Sequence, residues 1–216
     1  MCTQILKTPP SPQLNAVRAQ NASVLGKLAN IFCKKEYANH EQFYRNYIMP
    51  IMETVYMMLS TENDPEVRES CFMFFYLIAN ATESQFDGVF DQIIPEVLKS
   101  AVLKVPEKTE KKDFSLDSDS EDDEHILTST KAAEYDEKAA AIRALGELAN
   151  ACPMKFTPYF EQAYKILDDH YQFFYDSVRS EVSGCYVNIV KGYIKSQNNG
   201  VMPTYSNGLP VIQRYP

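Results

Sequence analysis

Apolar residues recur along most of this chain at spacings of three, four and seven, the pattern of a single buried helical face. In the stretch from Leu14, Val17, Val24, Leu25, Leu28, Ala29 and Phe32 keep that spacing. A second helix is expected over Phe43–Leu59, where Pro50 either kinks it or opens a new first turn. Thr61 to Pro65 reads as a turn with an Asp-Pro helix start, and a third helix follows from Val67. A fourth covers Phe90–Val102. Beyond it, Tyr135–Ala151, Pro158–Gln172 and Asp176–Lys195 each read as helix, with Pro153 ending the first of these. Pro9, Pro10 and Pro12 argue that no helix runs through Met1–Gln13, and the stretch after Ser196 has no period. No strand is expected.

Four of these helices align with one another. Val17-Arg18, Val67-Arg68, Glu137-Lys138 and Val178-Arg179 occupy equivalent starts, and Asn30, Asn80 and Asn150 each follow thirteen residues after the first member. The Asn positions are 50 and 70 residues apart, and the last two starts 41 apart. The longer interval contains a 28-residue stretch, Lys104–Lys131, which reads as an insertion. Without it the chain is a two-helix unit repeated about every 40 to 50 residues, the period of a HEAT array. The expected fold is therefore all-α, an α-α superhelix in which each hairpin buries its apolar face on the next. Residues 1–103 and 132–196 form the array, 104–131 the insertion and 197–216 a Pro- and Gly-containing tail. With a lone second helix first and no polar capping unit, the array is expected to be a piece of a longer solenoid. Gly26 and Gly146 should permit close helix contact. Arg18, Arg68 and Arg179 stand at helix starts, where the helix dipole disfavours a cation, so each is expected to pair with an acid of a neighbouring unit.

Charge changes the picture at one place. The formal net charge is −8, and seven acids fall between residues 113 and 124 (Asp113, Asp117, Asp119, Glu121, Asp122, Asp123 and Glu124) with no Lys or Arg among them. The rest of the chain is left nearly neutral. So acidic a segment cannot bury enough apolar surface to offset the entropy of ordering, so it reads as a solvated, disordered insert. An acidic chain without a basic stripe suits basic partners and not nucleic acid. Ser118 and Ser120 each have an acid three residues on and are candidate phosphorylation sites.

Other chemistry is thin. The five cysteines never fall two residues apart and read as buried hydrophobes in a reducing compartment. His40, His125 and His170 are far apart with no partner at ligand spacing, so no metal or other cofactor is expected. No Gly-rich phosphate loop and no paired nucleophile and base occur, and no enzyme is expected. The longest apolar run, Cys71–Ala79, is too short to span a membrane, and no secretory leader opens the chain. The recurring Asn30, Asn80 and Asn150 either line a concave face that holds a peptide backbone or satisfy late helix carbonyls.

The acidic insert, the Glu137-Lys138 opening, the Phe156–Phe160 run and the Val178-Arg179 start together resemble the central repeats of karyopherin-beta nuclear import receptors, in the branch of importin-4 and importin-5. DPEVRESCFMFFYLIANA, which comes before the insert, is similar to the neighbouring repeat of that family. The resemblance implies basic cargo such as ribosomal proteins or histones, bound through the acidic insert. It also implies contact with Phe-Gly nucleoporins and, in a full-length receptor, with the Ran GTPase, in the cytoplasm and the nucleus. The amino-terminal repeats that bind Ran in that family have no counterpart here. The rival expectations are a HEAT scaffold subunit of a phosphatase or chromosome complex, and a chaperone for basic proteins.

Overall fold

The computed structural model describes residues 2–9, 11–104 and 121–203. Helices α1 (Cys2–Leu6) and α2 (Pro12–Phe32) open the chain, followed by α3 (His40–Phe43), α4 (Met49–Thr61), α5 (Pro65–Thr82) and α6 (Asp87–Ala101). After residues 105–120 come α7 (Glu121–Ala151), α8 (Pro153–Phe156), α9 (Phe160–His170) and α10 (Asp176–Gln197). The protein is all-α, with no strand among the described residues.

Proline and capping residues set most of the starts. Pro12 enters the first turn of α2 directly after an extended Ser11. The carboxylate of Asp64 accepts a hydrogen bond from the Val67 backbone N–H at 3.1 Å and so caps α5, with Pro65 in the first turn. Between α3 and α4 the backbone widens into a π-turn over Tyr44–Ile48, just before Pro50. Pro50 has no N–H to give to a preceding carbonyl, and the wider turn takes up that loss.

Two boundaries differ from expectation. The short helix α1 lies within the segment expected to be non-helical, because its residues precede the prolines that break the chain at Pro9. α7 begins at Glu121, fourteen residues before the expected Tyr135. Residues 121–134, part of them within the expected insert, are thus helical.

The long helices lie side by side in chain order, α2 against α5, α5 against α7 and α7 against α10. A second layer covers them: α4 packs on α5, α6 on α7 and α9 on α10. α5 lies between two long neighbours and is apolar nearly all round, with Val67, Cys71, Phe72, Phe74, Phe75, Ile78 and Ala79 all buried. The Phe72 to Tyr76 aromatics therefore divide among different neighbours, as their positions around one and a half turns require. Phe74 and Phe75 meet edge to face at 5.2 Å, and in the second layer Phe90, Phe156 and Phe160 continue an aromatic line at 6.2 and 5.1 Å. Three glycines set the closeness of the row, Gly192 against the Ala149 carbonyl of α7 among them. A Cβ on Gly26 would lie 2.8 Å from the Phe74 Cα, and one on Gly146 would lie 2.9 Å from the Cys185 Sγ.

Candidate functional site

Four cations at aligned positions of the long helices tie the layers together. Arg18 of α2 gives Nη1 to the Glu62 carboxylate at 2.6 Å, with both residues buried. Arg68 of α5 is the hub. Its Nη1 donates to the Leu59 carbonyl at the end of α4 at 2.6 Å, and its Nε donates to Glu137 of α7 at 2.7 Å. Its Nη2 reaches Ser100 Oγ at 2.9 Å and Glu96 at 3.1 Å, both on α6. Ser100 in turn donates to Glu137 at 2.5 Å. Arg68 faces two carboxylates, and Lys99 at 3.8 Å from Glu96 supplies the second cation, so the charges balance, which a buried ion pair needs if it is not to cost stability.

The expectation of acidic partners is met for Arg18 and Arg68 but not in that form for Arg179. Arg179 pairs with Asp176 in the first turn of its own helix and donates to the Phe173 and Phe174 carbonyls at 2.6 and 2.8 Å. Those carbonyls follow the end of α9 and, with Asp176, take up the guanidinium's donors. The fourth cation, Lys138, lies 2.6 Å from His170 Nε2 and 5.1 Å from the centre of the Phe173 ring. The Ile166 carbonyl sits 2.6 Å from His170 Nδ1, which must therefore carry the ring proton and donate it, leaving Nε2 to accept from lysine. Burial pushes Lys138 down to about 8, and burial also lowers His170.

A second polar line runs across the long helices on the side away from α4, α6 and α9. Asn80 Nδ2 of α5 donates to Glu147 of α7 at 2.8 Å, and Asn188 Nδ2 of α10 donates to the other oxygen of the same carboxylate at 3.1 Å. One turn earlier Arg143 grips Glu181 through two bonds of 2.8 and 2.5 Å, which raises its already high pKa. Beside it a recess of about 180 Å³ is bordered by Glu69, Tyr76, Asp136, Ser177 and Glu181. Burial and the neighbouring Asp136 carboxylate raise Glu69 above the usual range. Three carboxylates against one engaged guanidinium make this recess receptive to a cation.

The sequence-derived candidates are spread out. Asn80 lies on this polar line. Asn150 shares its helix end but acts through its backbone carbonyl, which accepts from Lys195 Nζ at 2.9 Å, while its own Oδ1 is buried without a partner. Asn30 is half-buried near the end of α2. The three asparagines are therefore not used alike. Asp113, Asp117, Asp119, Ser118 and Ser120 fall outside the described residues. Glu62, Glu96, Glu137, Glu147 and Asn188 were not anticipated, although Glu137 had a visible signal, an acid where the aligned helices carry Val17, Val67 and Val178.

On the opposite layer α4 and α6 leave an apolar cleft of about 390 Å³, with Met49, Met52, Met57, Tyr56, Val89 and Ile93 on its walls and Phe75 among its lining residues. Methionine-rich walls adapt to varied apolar side chains. Cys33, Cys71, Cys152 and Cys185 are buried, and burial holds the Cys71 and Cys185 thiols far above their ordinary range. Among the described residues no group of three or more His, Cys, Asp or Glu side chains could hold a metal ion. No helix among them is long and apolar enough to cross a membrane. No protein-family model matches the chain, and no curated protein matches it.

Proposed function

We propose that the chain is an α-solenoid of HEAT-type hairpins that works as part of a nuclear import receptor of the karyopherin-beta kind. Its task is to hold basic cargo such as ribosomal proteins or histones, shuttling between cytoplasm and nucleus. One observation carries the reading: the long helices meet in a recurring register. Gly26 of α2 packs on Phe74 of α5, and Gly146 of α7 packs on Cys185 of α10. In both cases a residue nine places beyond the aligned start of one helix meets a residue seven places beyond the start of the next.

The basic-cargo part draws on the acid-bordered recess at Glu69, Asp136 and Glu181 and on the seven acids of residues 113–124. The cleft between α4 and α6 has the apolar, adaptable lining that Phe side chains of nucleoporins require. Ran belongs to the full-length receptor. The proposal assigns no catalysis, cofactor, membrane contact or direct nucleic-acid contact to this stretch.

The test is a pull-down from a mixture of ribosomal proteins and core histones, at low and at physiological salt. The intact chain is compared with a form lacking residues 113–124 and with a Glu69→Lys, Asp136→Lys form. Capture that is lost in either variant and weakened by salt supports the reading. Equal capture by all three forms would remove the acidic sites from it. A scaffold or a chaperone for basic proteins would keep its partner when Ran-GTP is added to the complete protein, whereas an import receptor would release it.

A further inference from the structure

We propose that the Lys138–His170 contact is a proton-operated latch: a proton taken up by His170 releases the end of α9 and the turn after it from α7, while the long helices stay together. The argument rests on packing inside the chain and holds whatever the protein carries.

Three of the four aligned cations meet a carboxylate, Arg18 with Glu62, Arg68 with Glu137 and Arg179 with Asp176. Lys138 is the exception. Among the described residues no carboxylate pairs with it, and its neighbour Glu137 turns to Arg68. Its partner is instead the neutral ring of His170, with Nζ 2.6 Å from Nε2 and both residues buried. That contact works in one protonation state alone. With Nδ1 donating to the Ile166 carbonyl, Nε2 offers its lone pair to the ammonium. A proton on Nε2 turns this acceptor into a donor, and two cations then face each other in a buried place. The surroundings offset this only in part. On α9 itself Asp169 and the Ile166 carbonyl favour the charged ring, against burial and Lys138. On α7 Asp136 is engaged by the Tyr175 hydroxyl. On α10 the charged groups at this turn are Arg179 and Asp176, which pair with each other. The turn at Thr157–Tyr159 carries no charge.

The seam that the latch closes is narrow. α9 lies chiefly on α10 and reaches α7 through this pair and the rings that follow it. Tyr135 of α7 meets Phe173, Phe174 and Tyr175 at 5.9, 5.1 and 4.9 Å, and the Tyr175 hydroxyl donates to Asp136 at 3.4 Å. α7 and α10 stay together without it, through Gly146 on Cys185 and Gly192 on Ala149. Because Asp136 borders the acidic recess, release of Tyr175 also frees one wall of that recess. His170 is held below its ordinary 6.5 while latched and returns to it on release, so falling pH favours the released state. Between about pH 7.5 and about pH 5.0 the released fraction rises by at most about thirtyfold, the gain of a freely titrating imidazole. Lys138, held down only to about 8, is mostly charged at both ends of that range and adds little.

The experiment is amide hydrogen exchange of the full chain, read by mass spectrometry at about pH 7.5 and about pH 5.0 and corrected for the intrinsic exchange rate at each pH. Dilute urea separates a local opening, which exposes little surface, from global unfolding. The expected result is protection of residues 160–178 that falls by about three- to thirtyfold on acidification, with a urea dependence far weaker than that of α5. Two variants read the mechanism. His170→Gln keeps an acceptor for Lys138 but takes up no proton, so its protection should be the same at both pH values. Lys138→Glu places an anion against the charged ring, so its protection should be higher at the acid pH, the reverse of the wild type. Circular dichroism checks the fold, and if one variant loses helicity the wild type and the other carry the test. A wild-type change under about threefold overturns the proposal. So does a change that shares the urea dependence of α5, a His170→Gln chain that responds like the wild type, or a Lys138→Glu chain that loses protection in acid.

Discussion

Removing the Arg68 side chain tests whether the buried ionic hub holds the two layers in place. Arg68→Met keeps much of the apolar stem but removes the donor bonded to Leu59 O at 2.6 Å, Glu137 at 2.7 Å and Ser100 at 2.9 Å. Glu137 is then left at 4% exposure with only Ser100 to solvate its charge. Breaking a buried pair on one side costs about 3–5 kcal/mol, because an uncompensated charge stays behind. If that is the mechanism, removing the charge as well should recover most of the loss. The residue to install is Val, which α2, α5 and α10 carry at the position of Glu137. The double variant Arg68→Met, Glu137→Val should therefore lie within about 1–2 kcal/mol of the wild type, because an apolar replacement of a buried pair is often near neutral. The assay is urea denaturation followed by circular dichroism for all four members of the cycle, compared at matched slope. A single-variant cost under about 1 kcal/mol, or a double variant as unstable as the sum of the singles, would refute the reasoning.

Two glycines of α10 should respond in opposite directions to Ala. A Cβ on Gly192 collides with the Ala149 carbonyl, so Gly192→Ala should destabilise by about 1–3 kcal/mol, whereas Gly184 has open space and should gain about 0.5–1 kcal/mol by thermal melting. Stability should fall as pH drops below about 6.5, because His170 must then charge while buried and facing Lys138, an effect that the Ile166 carbonyl and Asp169 oppose only in part. At the alkaline end Lys138 is held down to about 8 in the fold against an ordinary 10.5, so the unfolded chain binds more protons between those values. Stability therefore rises with pH across that window, and Lys138→Met should abolish the rise in melts taken from pH 7 to 11. Glu83, at the end of α5, has a φ of +46°, and Glu83→Gly should stabilise by about 0.5–1 kcal/mol despite losing its exposed pair with Lys35.

Helix identity was largely legible in the sequence because apolar spacing follows directly from which face is buried. Pro65 and Asp64 marked the start of α5, and Pro50 marked the start of α4. The early start of α7 was not legible. Residues 121–134 are mostly charged, polar or small, and composition reports solvation rather than backbone state. The cations at 18 and 68 could be matched to buried acids in principle, since a charge at a helix start inside an apolar pattern needs a partner. Which acid it takes depends on contacts 44 and 69 residues away, and no local pattern carries that information. Asn80, Asn150 and Asn30 looked equivalent in one dimension, yet their neighbours differ. Only α7 presents Glu147 to Asn80, and the α5 residue aligned with Glu147 is the apolar Leu77.

The placement of α5 and α7, each held on two sides, has a consequence for how the molecule opens. Exchange of backbone amide protons with solvent should be slowest in these two helices, where release requires parting from two long neighbours at once. α2 and α10 each have one such neighbour to leave, so they should exchange by peeling away singly, at lower free energy than global unfolding. The carboxylate of Asp64 links one of these peeling steps to the centre, because it caps α5 and also accepts from the Asn15 side chain of α2 at 2.9 Å. Departure of α2 therefore frees that carboxylate from one of its two partners, and the first amides of α5 should feel the loss before the rest of the helix does.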